Sequence, residues 1–223
     1  MEHEANIQTP AEKLISRENL KEFYREQLPN LLKTVFLNPI AGTYSIFKHT
    51  THDTYKNSVL LILSTMTLYF MMPLLIIGGE MRSLISFSML LRFSLVAGLF
   101  ILLISAISFG IKSVSGKPVF KNELLTGALC GIGLILLLIV LLLIRFFVGD
   151  LNIFELMNPM GLLRRIGFML VFVLYIFLFM VNVMQQSLKA SGTNDAVSWY
   201  ISPVTILLAF YLTSKIAQEI FLP

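Results

Sequence analysis

The sequence predicts an all-α fold, a polytopic membrane helical bundle of about five transmembrane helices preceded by an amphipathic N-terminal helical arm. Hydrophobic residues make up 56% of the 223 residues, and charged residues only 13%. A soluble domain has about 25% charged residues. The charges are also unevenly placed, since six of the thirteen acidic residues precede residue 34. Most of the chain is therefore suited to a bilayer.

Five long uncharged windows follow the arm, and each holds 19 to 23 residues. A helix of this length crosses a hydrocarbon core about 30 Å thick, at about 1.5 Å per residue. We predict a cytosolic arm over residues 1–56 and a five-span domain over residues 57–223, with four or six spans as alternatives. The windows are Asn57–Gly79, Phe93–Ile111, Leu124–Ile144, Ile166–Leu188 and Ala196–Ser214.

The position of Arg92 allows two different starts for the second span. A span beginning near Leu84 would put this arginine at membrane depth, which costs several kcal/mol. A span from Phe93 to Ile111 instead leaves Arg92 and Lys112 at opposite interfaces. We prefer the second arrangement, in which Ser83–Leu91 lies along the membrane surface.

The distribution of Lys and Arg favours a cytoplasmic N-terminus. Arg164 and Arg165 are exceptions to this distribution, because this orientation puts them outside. The inside segments would hold Lys13, Arg17, Lys21, Arg25, Lys33, Lys48, Lys56, Lys112, Lys117, Lys121 and Lys189.

The arm begins with Thr9-Pro10-Ala11-Glu12, which has the pattern of a helix capping box. The helix is expected to run to about Gln27 and to end at Pro29. Its apolar face can lie on the membrane surface, bind a protein partner or pack on the chain's own membrane domain. The partner-binding candidates on that face are Leu20, Phe23, Tyr24 and Leu28.

Two Asn-Pro steps, in Leu37-Asn38-Pro39-Ile40 and Met157-Asn158-Pro159-Met160, each precede a segment that enters the membrane. The residue before a proline disfavours helix, so both steps predict a turn that leads into a surface helix.

The chain shows no pattern of residues for catalysis, so we expect a protein that is not an enzyme and binds no cofactor. No window holds Asp or Glu, and no His follows His52. Phosphate-binding, dinucleotide-binding and zinc spacings are absent. His49-Thr50-Thr51-His52-Asp53 has two histidines at helical spacing but too few further ligands, so we expect no metal site. The basic residues punctuate apolar runs and do not cluster, which excludes a nucleic-acid surface.

Gly127-Ala128-Leu129-Cys130-Gly131 is a small-xxx-small pattern inside the third window, and Gly133 extends it. Small residues let helix backbones approach closely in a membrane. We predict helix packing through Gly127, Gly131 and Gly133, within the chain or between the subunits of a homo-oligomer.

Amide side chains in the fourth window and hydroxyls in the second are the candidates for a polar path. They can line such a path or form hydrogen bonds between helices, which is the usual role of isolated amides in lipid. The residues are Asn182, Gln185, Gln186, Ser105 and Ser108.

Three stretches of the sequence resemble the Yip family of Ypt-interacting five-span membrane proteins, and its bacterial members more closely. They are Phe36-Leu37-Asn38-Pro39 followed by Thr43-Tyr44-Ser45-Ile46-Phe47, the loop Gly110–Lys121, and Ser187-Leu188-Lys189-Ala190-Ser191-Gly192. The resemblance implies a cytosolic N-terminus, five spans and a short C-terminus on the far side. Eukaryotic members bind small GTPases, but their Asp-Leu-Tyr-Gly-Pro-type signature is absent here. The resemblance therefore carries over neither GTPase binding nor catalytic residues.

Two functions follow as hypotheses for a multi-pass protein of a bacterial inner membrane, surrounded by the lipid bilayer. The first is a non-enzymatic scaffold or adaptor of Yip-like type, whose arm recruits or organises a protein partner. The alternative is a small permease or transporter subunit with a polar path near Asn182.

Overall fold

Within the described part of the chain, five helices are long and apolar enough to cross a membrane, which confirms the predicted fold class. The structure is a computed structural model, and it describes residues 17–49, 52–76, 85–148 and 159–221. Across these residues it is helical and contains no strand. The protein is a multi-pass integral membrane protein.

The arm helix, α1, continues further than its sequence predicts. It runs over Arg17–Glu22, passes through a π-helical stretch at Phe23–Gln27 and continues over Leu28–Leu37. The expectation that Pro29 ends the helix is therefore wrong. In the π-helical stretch the Leu28 N–H bonds the Phe23 carbonyl, one residue further back than in an α-helix. The wider turn makes room for a proline ring that would otherwise meet the preceding turn. The predicted capping box lies outside the described residues.

A short second helix, α2 (Ala41–Lys48), folds back on the end of α1. The turn between them lies at Pro39 and Ile40, as the first Asn-Pro step predicts. Gly42 closes this hairpin, because a Cβ there would lie 2.7 Å from the Thr34 carbonyl oxygen. Only glycine allows so close an approach.

The five membrane helices contain the described parts of the five predicted windows. The fourth and fifth are joined by a tight turn in which Gly192 has a φ of 89°. The Thr193 N–H bonds the Leu188 carbonyl across this turn, as in a Schellman cap. The helices are α3 (His52–Ile76), α4 (Phe87–Ser115), α5 (Phe120–Val148), α6 (Pro159–Ala190) and α7 (Asp195–Phe221).

Helix α4 is continuous through Arg92, so the predicted surface segment before it is wrong for residues 87–91. The Ser86 hydroxyl caps the helix by accepting a hydrogen bond from the Met89 N–H. Breaking the helix at Arg92 would leave backbone groups unpaired in an apolar setting, and a continuous helix avoids that cost. Ser83 and Leu84 lie outside the described residues.

Helix α5 forms the centre of the bundle. It packs against α3, α4 and α6, and α7 packs against α4 and α6 on the other side. In its spanning window 67% of the residues are buried within the protein, compared with 17% in the window of α3. The apolar core therefore runs along α5 and includes Leu125, Leu129 and Ile132.

The three glycines singled out in α5 lie against other helices of the same chain. Gly127 is in direct contact with Ser105 and with the Ile101 carbonyl of α4, so any Cβ there would clash with both. Gly131 faces Ile101, and Gly133 faces Met180 of α6. Small residues at these positions let α4 and α6 approach the central helix.

Gly127→Ala should destabilise the bundle, because the new methyl group meets backbone and side-chain atoms of α4. Overpacking of this kind costs about 1–3 kcal/mol. The free energy of unfolding can be measured in mixed micelles of mild detergent and SDS by circular dichroism. Gly110→Ala is the matched control, since a Cβ at Gly110 meets nothing within 4 Å. Equal stabilities of the two variants would contradict close α4–α5 packing at Gly127.

Candidate functional site

A buried ion pair lies at one end of the bundle, where α4 ends and α5 begins. We call this end the arm end, because the arm also packs near it. Lys112 in α4 and Glu123 in α5 are only 6% and 4% exposed. Charged residues are seldom buried so completely unless they are paired. The pair is therefore the main feature to explain.

The ion pair is part of a hydrogen-bonded cluster that joins three membrane helices. Lys112 Nζ lies 2.8 Å from Glu123 Oε2 and 3.0 Å from Oε1. Ser108 donates to the same Oε2 at 2.7 Å. On the other side Lys112 Nζ donates at 2.7 Å to Ser187 Oγ of α6. The hydroxyls of Ser187 and Thr126 lie 2.6 Å apart. We call these five residues the polar cluster.

The chain order brings the two charges together. Lys112 lies in the last turns of α4 and Glu123 in the first turn of α5, with a short connection at residues 116–119. The two helices are antiparallel, so these turns meet at the same level. Each charge also suits its position, because a helix C-terminus favours a cation and an N-terminus favours an anion.

The cluster must offset the cost of removing two charges from water. That cost is several kcal/mol per ion, and it is balanced only when geometry and further hydrogen bonds are good. Here the carboxylate accepts from both Lys112 and Ser108, and the ammonium also donates to Ser187. The arrangement therefore holds α4, α5 and α6 in one register at the arm end.

An open pocket of about 260 Å³ lies directly over the polar cluster. Its walls come from α2, the end of α4, the α4–α5 connection, the start of α5 and the end of α6. The Phe47 ring of α2 lies 6.0 Å from Lys112 Nζ. The pocket thus has charged, hydroxyl and aromatic groups at the point where five segments meet. Its walls include Phe47, Lys117, Val119, Asn122, Ser187 and Ser191.

The residues predicted for a polar path separate into different places. Ser108 joins the polar cluster, whereas the Ser105 hydroxyl bonds the Ile101 carbonyl of its own helix. The Asn182 amide donates to the Pro39 carbonyl of the arm at 2.6 Å. Gln186 is buried and donates to Asn182 Oδ1 at 3.2 Å, and Gln185 is half-buried.

Beyond the polar cluster, toward the opposite end, the described core between α4, α5 and α6 is mostly apolar, with the buried Ser105 as its polar exception. Its fully buried side chains include Ile104, Leu129, Met180 and Val183. Deeper hydroxyls such as Ser105 of α4 and Ser202 of α7 are buried, and each bonds a carbonyl of its own helix. The structure therefore shows a charged, polar site at one end of a mostly apolar bundle.

The apolar face of the arm packs on the chain's own membrane helices. Phe23 is 1% exposed and belongs to the core, and Leu20 and Leu28 pack against that core. Tyr24 is half exposed, but its hydroxyl hydrogen-bonds Ser64 Oγ of α3 at 2.6 Å. Of the three alternatives for this face, packing within the chain is the arrangement that the structure contains.

Residues 17–49, 52–76, 85–148 and 159–221 contain no group of three or more His, Cys, Asp or Glu residues placed to hold a metal ion. The segment His49-Thr50-Thr51-His52-Asp53 lies partly outside the described residues.

Sequence analysis missed the ion pair although a signal for it exists. Lys112 immediately follows one uncharged window, and Glu123 immediately precedes the next. Opposite charges that flank a short connection between antiparallel helices are placed to meet. The sequence analysis placed Lys112 at a membrane interface and gave Glu123 no role.

Comparison with protein-family models, with curated proteins and with solved structures finds no match to the chain.

Breaking the ion pair from one side should cost far more stability than removing it entirely. Glu123→Gln leaves a buried ammonium without its counter-ion, which costs about 3–5 kcal/mol. The double variant Lys112→Met with Glu123→Gln removes both charges and should recover most of that loss. The free energy of unfolding in mixed micelles measures both effects.

The control is Lys117→Met, which removes an exposed charge at the same end of the bundle. We expect a change below about 0.5 kcal/mol for this surface substitution. A double variant as unstable as Glu123→Gln alone would contradict a paired role for Lys112.

Proposed function

We propose that the protein is a non-enzymatic membrane scaffold or adaptor of Yip-like type, with the pocket over the polar cluster as its partner-binding surface. The observation that carries the proposal is the open pocket built on a rigid, internally paired base at the arm end. Groups that bond one another fix a shape.

The arm contributes to this surface by bracing it. Asn182 bonds the turn before α2, and Phe47 near the end of α2 forms one wall of the pocket. Since the arm's apolar face is already occupied, a partner would contact the pocket while the arm stays in place. This moves the proposed contact from Phe23 and Tyr24 to the α4–α5 connection.

The charges of the arm end support a cytoplasmic position for the pocket, and we propose a bacterial inner membrane as its location. Lys48, Lys56, Lys117, Lys121 and Lys189 all lie at helix ends or in connections on this side. Cytoplasmic segments of membrane proteins carry an excess of Lys and Arg.

The lining favours a protein segment that has both an acidic and an apolar side chain. The ammonium of Lys117 at the edge of the pocket would attract the acidic group, and Phe47 with Val119 would receive the apolar one. Interface cores of this kind combine an apolar anchor with a polar rim.

Photocrosslinking in the native membrane tests the proposal. A photoreactive phenylalanine analogue at Val119, which is 56% exposed on the pocket, should give one crosslinked protein of defined mass. Lys117→Glu should reduce that product at least tenfold, because the reversed charge repels an acidic segment.

The matched control carries the same analogue at Val114, which is 90% exposed on α4 and does not line the pocket. It should give no such product. A product of equal yield from both positions, or none from either, would contradict a partner-binding pocket.

A small permease or transporter subunit is the second candidate. Polar groups from three helices converge on one pocket, as a substrate site requires. A path near Asn182 would have to compete with the hydrogen bond from that amide to Pro39. Proton flux into proteoliposomes that is lost in Asn182→Leu would favour this candidate over the scaffold.

A further inference from the structure

We propose that residues 34–47 form a re-entrant hairpin that dips into the lipid leaflet at the arm end, with lipid acyl chains covering its exposed apolar tip. This gives the arm a second surface, distinct from the face on the bundle and from the partner pocket. It also places the deepest part of the arm in lipid and not in the cytosol.

The sequence of the hairpin suits this position. No charged residue occurs between Lys33 and Lys48, which leaves fourteen uncharged residues. A stretch of about 10–14 such residues is too short to span a bilayer and is typical of interfacial or re-entrant segments. The hairpin contains the end of α1, the turn at Pro39 and Ile40, and most of α2.

Two contacts with α6 place the tip below the charged ends of the membrane helices. The Phe36 ring stacks on Phe179 at 5.5 Å between centroids, and Asn182 donates to the Pro39 carbonyl. Asn182 lies seven residues before Lys189 in α6 and Phe179 ten, which is about 10 Å and about 15 Å along the helix at about 1.5 Å per residue.

The Tyr24 side chain of α1 reaches a similar depth along α3. Tyr24 of α1 hydrogen-bonds Ser64, which lies eight residues after Lys56. That separation is about 12 Å along α3. The C-terminal end of α1 is therefore held below the level of Lys189, and the Tyr24 hydroxyl reaches below the level of Lys56. An amphipathic helix in a membrane interface is buried by about 5–10 Å, which is a similar depth.

Several polar backbone groups of the turn have hydrogen-bond partners. Irregular backbone is tolerated at membrane depth only where its polar groups find partners. The Asn38 N–H bonds the Thr34 carbonyl at 3.1 Å, and the Gly42 N–H bonds the Asn38 carbonyl at 2.9 Å. Pro39 has no N–H, and its carbonyl accepts from Asn182 at 2.6 Å.

The large side chains exposed at the tip are apolar, and Asn38 is the exposed polar residue beside them. Leu37 is 75% exposed, Ile40 64% and Phe36 38%. At this depth the tip is surrounded by lipid acyl chains, which would cover these side chains. The cationic side chains earlier in α1, such as Arg25 and Lys33, have long stems that can reach the headgroups.

Tryptophan quenching measures the depth of the tip directly, because the chain has a single tryptophan. The full-length protein carries Trp199→Phe and Ile40→Trp and is reconstituted in phosphatidylcholine with or without bromine on the acyl chains. We expect brominated lipid to quench the fluorescence at least twofold, and aqueous iodide to leave it nearly unchanged.

Two control variants in the same background set the scale. Val204→Trp lies on the exposed face of α7, nine residues into its span, and should be quenched by brominated lipid. Val119→Trp lies in the α4–α5 connection and should be quenched by iodide.

Each other result for Ile40→Trp overturns the proposal. Quenching by iodide and not by brominated lipid would place the tip in water. Protection from both quenchers would mean that protein, such as a second copy of this chain, covers it. Neither result would bear on the partner pocket, which the photocrosslinking at Val119 tests separately.

Discussion

The ion pair between Lys112 and Glu123 is the constraint on which the rest of the arm end depends. Two charges buried to within a few per cent of their surface can only be held by partners on both sides. Those partners lie on α4, α5 and α6, so satisfying the charges fixes the relative positions of three helices. The pocket above is a consequence, because its walls are the ends of the same helices.

The arm is held by the same kind of pairing between helices, but its paired groups are uncharged. Its turn at Pro39 leaves a carbonyl that needs a donor, and Asn182 supplies one from α6. Its aromatic and aliphatic side chains complete the surface of α3 and α6. An arm held in this way is a fixed part of the membrane domain. It supports the pocket through Phe47, and its uncharged tip faces lipid.

Sequence alone predicts the five membrane helices well, because length and hydropathy decide whether a segment crosses a bilayer. It predicts less about what those helices touch. Pro29 does not end α1, since a π-helical stretch beside Phe23 accommodates it. Asn182 has the chemistry for a polar path, yet its partner is an arm carbonyl that no pattern within α6 reveals. The pairing of Lys112 with Glu123 likewise depends on which turns of two antiparallel helices meet.

The most direct test is solid-state NMR on the protein in lipid bilayers, with lysine labelled by ¹⁵N at Nζ and glutamate by ¹³C at the carboxyl carbon. We predict a dipolar coupling between Lys112 Nζ and the Glu123 carboxyl carbon, identified by its loss in Glu123→Gln. Such a coupling would establish that the pair forms at the membrane edge. Spectra of the two proteins without that difference would show that the charges are apart in a bilayer, and would contradict the account of the arm end.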